Sequence, residues 1–146
     1  MIDHSAVLRL AYTRETTLQK ATLIACVDDD PTVLKAMEDL LDACGFPVDG
    51  FSSAEEFLDR GQLEATSCLI TDVQLGGMSG LQLQERLAKL GFGIPTIVIS
   101  AFVTEQVRIR ALASGAQCVL SKPVSKDDLL KCIGDALRRG RGDENG

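Results

Sequence analysis

Four short runs of β-branched and apolar residues, unbroken by polar alternation, constrain this chain more than any other feature: Leu23 to Val27, Cys68 to Thr71, Thr96 to Ile99 and Cys118 to Leu120. A strand with one face in water alternates apolar and polar side chains, whereas a strand covered on both faces does not. The runs therefore predict buried strands of a mostly parallel sheet, with helices above and below it. A fifth, weaker run from Val48 to Phe51 is split by Asp49 and Gly50, which suits a strand nearer the sheet edge.

Helical patterns fill the intervals. The clearest sets Val33, Leu34, Met37, Leu40, Leu41 and Cys44 on one stripe, with Asp30 as N-cap, Pro31 in the first turn and Gly45 at the stop. The last begins at Ser125-Lys126-Asp127-Asp128, a capping box with Asp in the Glu place, and carries Leu129, Leu130, Ile133, Ala136 and Leu137 on one face. Arg138, Arg139 and Arg141 favour its C-terminal end. Shorter helices are expected over Ala54–Arg60, Leu81–Leu90 and Thr104–Ser114, the last two stopped by Gly91 and Gly115. Strand and helix alternate five times, and right-handed crossovers turn that alternation into a doubly wound α/β domain. Residues 21–139 are expected to form it, with residues 1–20 as an N-terminal tail and 140–146 as a C-terminal one.

Charge narrows the function. With 15 Lys and Arg against 21 Asp and Glu, the chain carries −6, and residues 21–137, with 9 basic against 17 acidic residues, carry −8. Such a domain is not drawn to nucleic acid or to an anionic membrane surface. No apolar run approaches the roughly 18 residues that span a bilayer, and the first 20 residues lack a signal-peptide core, so a cytoplasmic location is expected. None of the five cysteines (Cys26, Cys44, Cys68, Cys118, Cys132) sits in a C-x-x-C pair, and the one histidine is His4. Zinc has little support, and reduced, buried thiols are expected.

Ligands of an open parallel sheet bind beyond the carboxyl ends of its strands. There the first run is followed by Asp28, Asp29 and Asp30, the third strand by Asp72, the fourth by Ser100 and the fifth by Lys122 and Pro123. Each alone has a structural explanation, since Asp30 can cap a helix and Lys122 can be solvated. Their coincidence at one rim predicts a functional site. Three crowded carboxylates raise one another's pKa unless a cation sits among them, and oxygen-only donors without a nearby histidine favour Mg2+. Mg2+ and Lys122 would neutralise a transferred phosphoryl group while a carboxylate attacks it in line, leaving an aspartyl phosphate.

Val27-Asp28-Asp29-Asp30-Pro31, Thr71-Asp72-Val73-Gln74-Leu75-Gly76-Gly77-Met78-Ser79-Gly80-Leu81, Ile97-Val98-Ile99-Ser100-Ala101 and Leu120-Ser121-Lys122-Pro123 together resemble the receiver domain of two-component response regulators, over about residues 21–139. The resemblance implies a flavodoxin-like (βα)5 three-layer sandwich with strand order 2-1-3-4-5. It implies that Asp72 takes a phosphoryl group from a histidine kinase or phosphotransfer protein. Asp28, Asp29, Asp72 and the backbone carbonyl of Gln74 would hold Mg2+, Asp29 directly and Asp28 mainly through water. Ser100, Ala101 and Lys122 would contact the phosphoryl oxygens, and Pro123 is the candidate for a cis peptide or special loop. Such a chain is not a conventional enzyme, although it catalyses its own phosphotransfer and autodephosphorylation. Its output would be a downstream effector protein or a homodimer, through the face made by Thr104–Ser114, the fifth strand and Ser125–Arg139.

Two positions depart from the family pattern. Gly76 stands where Pro is usual, which should loosen that loop, and Val119 stands where an aromatic residue is common. An aromatic rotamer switch is thus unavailable at Val119, and Phe102 is the candidate to carry part of the signal. Ala25 to Thr32 also resembles the first motif of haloacid-dehalogenase-like phosphohydrolases, with Asp28 as nucleophile and Asp30 as general acid/base. That alternative needs further acidic metal ligands at a later strand end, where only 24 residues, most of them a helix, follow Lys122, and it leaves Asp72 unexplained. A receiver-like interaction module that never handles phosphate is the other alternative.

Overall fold

The computed structural model describes residues 22–142; the N-terminal tail assigned to residues 1–20 and residues 143–146 lie outside the described residues. The order is β1 (Leu23–Val27), α1 (Pro31–Ala43), β2 (Val48–Phe51), α2 (Ala54–Arg60), β3 (Thr66–Asp72), α3 (Gly80–Lys89), β4 (Thr96–Ser100), α4 (Glu105–Ala113), β5 (Ala116–Ser121) and α5 (Lys126–Gly142). The five strands form one parallel sheet in the order β2-β1-β3-β4-β5. This is the doubly wound topology that the alternation and the resemblance imply. The last helix runs to Gly142, past the boundary drawn at Arg139.

Successive residues along β1 point to opposite faces, and both faces are covered. Ile24 and Cys26 pack with Ile70, Ile97, Leu41, Leu129 and Ile133 beneath α1 and α5, while Ala25 and Val27 pack with Phe51, Phe57, Leu69, Leu83 and Leu87 beneath α2 and α3. A third cluster (Leu81, Val98, Ala111, Ala116, Val119) seats α4. The absence of polar alternation in the central strands follows directly from this double cover. Val119, the aliphatic substitute, belongs to that third cluster and is buried, whereas Phe102 is 68% exposed.

Helix ends follow local chemistry. Asp30 caps α1, its Oδ1 accepting from the amides of Thr32 and Val33 at 2.9 and 3.4 Å. Ser79 and Gln82 form a reciprocal capping box on α3. At the opposite ends of α1, α3 and α4, Gly45, Gly91 and Gly115 adopt φ of +88°, +86° and +93°, and a Cβ at any of them would meet nothing within 4 Å. These turns need the left-handed backbone that glycine takes without steric cost.

The cysteines correct the sequence expectation. Cys118 on β5 and Cys132 on α5 are joined in a disulfide, leaving Cys26, Cys44 and Cys68 free, and Cys44 is exposed rather than buried. Cys118 and Cys132 share the core layer between the sheet and α5, and that proximity is invisible in a spacing of 14 residues. Burial pushes the thiols of Cys26 and Cys68 far up, that of Cys68 to about 12, in keeping with inert core positions.

Candidate functional site

Strand order reverses between β1 and β3, whose carboxyl ends present Asp28 and Asp72 side by side. Both are 7% exposed, so each carboxylate has given up most of its water. Asp28 turns Oδ1 to the Asp30 amide at 2.9 Å, and Asp72 turns Oδ1 to the Gln74 amide at 3.1 Å. Their remaining oxygens face one cation: Lys122 Nζ lies 2.6 Å from Asp72 Oδ2 and 3.4 Å from Asp28 Oδ2.

One ammonium between two buried carboxylates leaves the rim negative. Burial, above all, raises the Asp28 carboxyl above its usual range, and the charge of Asp72 adds to it; the Asp30 amide and Lys122 oppose both. Burial also works against the Lys122 charge, but Asp72 and Asp28 outweigh it and hold the ammonium above its ordinary value.

The neighbouring sequence candidates stand around this pair. Asp29 is exposed, with its Oδ2 directed to Gly76, where a Cβ would sit 3.7 Å away. Ser100, at the end of β4, is 1% exposed and closes a small turn: its Oγ donates to the Phe102 carbonyl and lies equally 3.1 Å from the Phe102 amide. Ala101 is exposed beside it. Lys122 is fixed through its backbone, whose amide donates to the Ser100 carbonyl at 2.9 Å, and the Lys122–Pro123 peptide is cis. Asp30 caps α1 through its Oδ1. The haloacid-dehalogenase-like alternative would ask this capping residue to serve as acid/base as well.

The donor set suits Mg2+. Among the described residues no three acidic side chains close in tightly enough to grip a cation unaided. Mg2+, however, keeps several waters and asks for only one or two carboxylates with other hard oxygens. Two desolvated carboxylates with a single counter-ion, next to Asp29 and the backbone of Gln74, meet that requirement.

Two contributors have no signal in the sequence. Glu55, on α2, accepts from the Met78 amide at 3.0 Å across 23 residues of sequence and so clamps the loop after Asp72. Gly80 opens α3 so close to β3 that a Cβ there would overlap the Asp72 carbonyl oxygen and stand 2.9 Å from its carbon. A sequence alone marks neither contact, because both depend on how α2 and α3 lie against the sheet.

Glu55 carries a pH prediction. Its carboxyl is held below the usual range, first by the Met78 amide and then by its own. The ordering of the loop is therefore complete above the unfolded carboxyl's pKa and lost as pH falls through the lower, folded value. The protection of the Met78 amide, its exchange rate relative to that of an unstructured amide at the same pH, should fall on acidification below the usual carboxyl range of about 4.3. Glu55→Gln should exchange faster at neutral pH and lose most of that pH dependence.

Gly76 is a second test. Its φ is not positive, and a Cβ there would meet only Asp29 Oδ2, at an ordinary contact distance of 3.7 Å. Gly76→Ala is therefore expected to stabilise the protein by about 0.5 kcal/mol, through the unfolded chain's lost freedom, in a urea titration. A decrease in stability would mean that the loop depends on glycine after all.

A flavodoxin-like α/β domain with a lysine bridging two acids at its topological switch point is thus the class that fold and rim define. Comparison with known proteins places it within that class. Residues 24–134 match the family model described as response regulator receiver domain. The response regulator protein TmoT of Ectopseudomonas mendocina is 42% identical over 126 residues, which cover 86% of this chain and 57% of that protein. A solved structure of the response regulator StyR is 34% identical with a TM-score of 0.79, covering 85% of this chain and 63% of that one. A CheY-like receiver domain from Methanospirillum hungatei is 27% identical with a TM-score of 0.76, covering 84% and 98%. The chain belongs to the response regulator receiver domain family. It spans about half the length of the curated relatives it matches. Receivers of this family are generally Mg2+-dependent and interact with kinases and effector domains. No helix among the described residues is long and apolar enough to cross a membrane.

Proposed function

We propose that this chain is a phosphoacceptor receiver in a two-component phosphorelay, phosphorylated on Asp72. The observation that carries the reading is Lys122 Nζ, 2.6 Å from Asp72 and 3.4 Å from Asp28, at the point where the strand order reverses. Asp72 Oδ2 is the nucleophile, and Oδ1 stays oriented by the Gln74 amide. Asp28, Asp29, Asp72 and the Gln74 carbonyl would hold Mg2+, which supplies charge neutralisation for the incoming phosphoryl oxygens. As Asp72 forms its bond to phosphorus and the bond to the donor breaks, Lys122 shifts from the carboxylate to one of the phosphoryl oxygens, which now carry the negative charge.

Ser100 supplies the switch. Its hydroxyl is engaged with the Phe102 backbone in the unphosphorylated protein. A phosphoryl group on Asp72 offers strong acceptor oxygens that compete for that hydroxyl and draw the Ser100–Ala101 segment inward, changing the β4–α4 loop. Input comes from a histidine kinase or phosphotransfer protein; an apolar groove lined by Val33, Met37, Leu40 and Val124 opens beside Asp28 and Lys122 and suits its approach. Output passes to an effector protein or a second copy through α4, β5 and α5, in the cytoplasm.

Intact mass after incubation with acetyl phosphate, with Mg2+ or with EDTA, tests the reading. One acid-stable, base-labile phosphoryl group that requires Mg2+ is the expected result. No gain in the wild type would overturn it in favour of a phosphate-independent module. Labelling that survives Asp72→Asn but is lost in Asp28→Asn would overturn it in favour of the phosphohydrolase chemistry.

A further inference from the structure

The disulfide encloses the functional lysine. Cys118 lies within β5 and Cys132 in the second turn of α5, with Cα atoms 6.2 Å apart, inside the span that a disulfide bridges without backbone movement. The ring it closes contains Lys122, the Lys122–Pro123 peptide and Ser125, whose Oγ accepts from the Asp128 amide at the start of α5. Without the bond, α5 is held to the sheet by Leu129, Ile133 and Ala136 packing on Ile24, Ile70 and Ile97.

We propose that Cys118 and Cys132 form a reversible thiol–disulfide site that tethers α5 to β5 and so sets the freedom of the segment carrying Lys122. The oxidant is a low-molecular-weight disulfide of the glutathione class. The Cys118 thiolate, the less buried of the pair, attacks one sulfur of that disulfide, forming a mixed disulfide and releasing one small thiol. The Cys132 thiolate then attacks the Cys118 sulfur and displaces the second small thiol. The protein loses two electrons and two protons, and one small disulfide becomes two thiols; excess small thiol reverses both steps. Because Cys132 is only 8% exposed, exchange requires α5 to lift locally, so this pair should react more slowly than the exposed Cys44. The free thiols of Cys26 and Cys68 are buried on β1 and β3, in the same core layer but on strands that the ring does not include.

The proposal stands apart from phosphorylation, and so does its test. The full chain is equilibrated in buffers of reduced and oxidised glutathione, quenched in acid, unfolded in urea, alkylated and mapped by peptide mass. Five thiols should react after the reducing buffers; after the oxidising ones Cys118 and Cys132 should be joined to each other, Cys26 and Cys68 should still be alkylated, and Cys44 should carry either the alkyl group or one glutathione. Amide exchange over residues 119–131 should be several-fold slower in the oxidised protein, with β1 and β3 unchanged. Cys118→Ser and Cys132→Ser should exchange at the faster rate in both buffers. Five reactive thiols at every glutathione ratio, a bond between other cysteines, or equal exchange over residues 119–131 in both states of the wild type would each overturn the proposal.

Discussion

Asp72→Asn should abolish phosphoryl gain from acetyl phosphate, a loss on the order of a thousandfold or more, while the protein stays folded. The chemistry of the loss is simple: an amide oxygen is too weak a nucleophile to displace the acetyl leaving group. The fold should survive because Asn matches Asp in shape and its carbonyl can still accept from the Gln74 amide that Asp72 now engages at 3.1 Å. Lys122 would keep Asp28 as a partner, and one of the two facing carboxylates would be gone. Circular dichroism and thermal unfolding separate the two effects. Loss of label together with loss of structure would mean that Asp72 is needed for folding, and the chemical role would then have to be read from Lys122→Ala instead.

The second large effect is expected at a residue with no side chain, where α3 meets the backbone of Asp72. Gly80→Ala should cost about 3 kcal/mol in a urea titration, at the upper end of what overpacking does. The added Cβ meets the Asp72 carbonyl and, at 3.0 Å, the Thr71 hydroxyl, which itself donates to the Asp72 carbonyl. A flexible side chain could rotate out of the way, but most of this obstacle is the backbone of a central strand. Relief therefore means moving α3 off the sheet or moving the end of β3, and the second displaces Asp72 from Lys122. Phosphoryl gain should fall along with stability. A variant as stable as the wild type would show that α3 can retreat without disturbing β3.

Most of the architecture was legible in the chain, and the reasons are local. The unalternating runs at Leu23–Val27 and Thr96–Ile99 reported burial on both faces, and Asp30, Pro31 and Gly45 bracketed α1 because caps and left-handed turns are chosen by neighbouring residues. Asp28, Asp72, Ser100 and Lys122 could be gathered because a parallel sheet brings every strand's carboxyl end to one rim. What escaped was set by the angle at which helices settle on the sheet. Glu55 on Met78, Gly80 against Asp72 and Cys118 on Cys132 each join distant residues through helix placement, and no spacing rule encodes that. The cysteines show the difference most sharply: their apolar surroundings marked the buried positions of Cys26 and Cys68, yet said nothing of which sulfur meets which.

Gly45, Gly91 and Gly115 end α1, α3 and α4 on the edge of the domain away from Asp72, each in open space. The domain therefore has a working rim and a mounting rim. A short peptide or a fluorescent reporter grafted into one of these turns would sit a sheet's length from the acidic cluster, where extra residues disturb neither the lysine nor the loops that answer it. Such a graft would label the chain while leaving its working rim untouched.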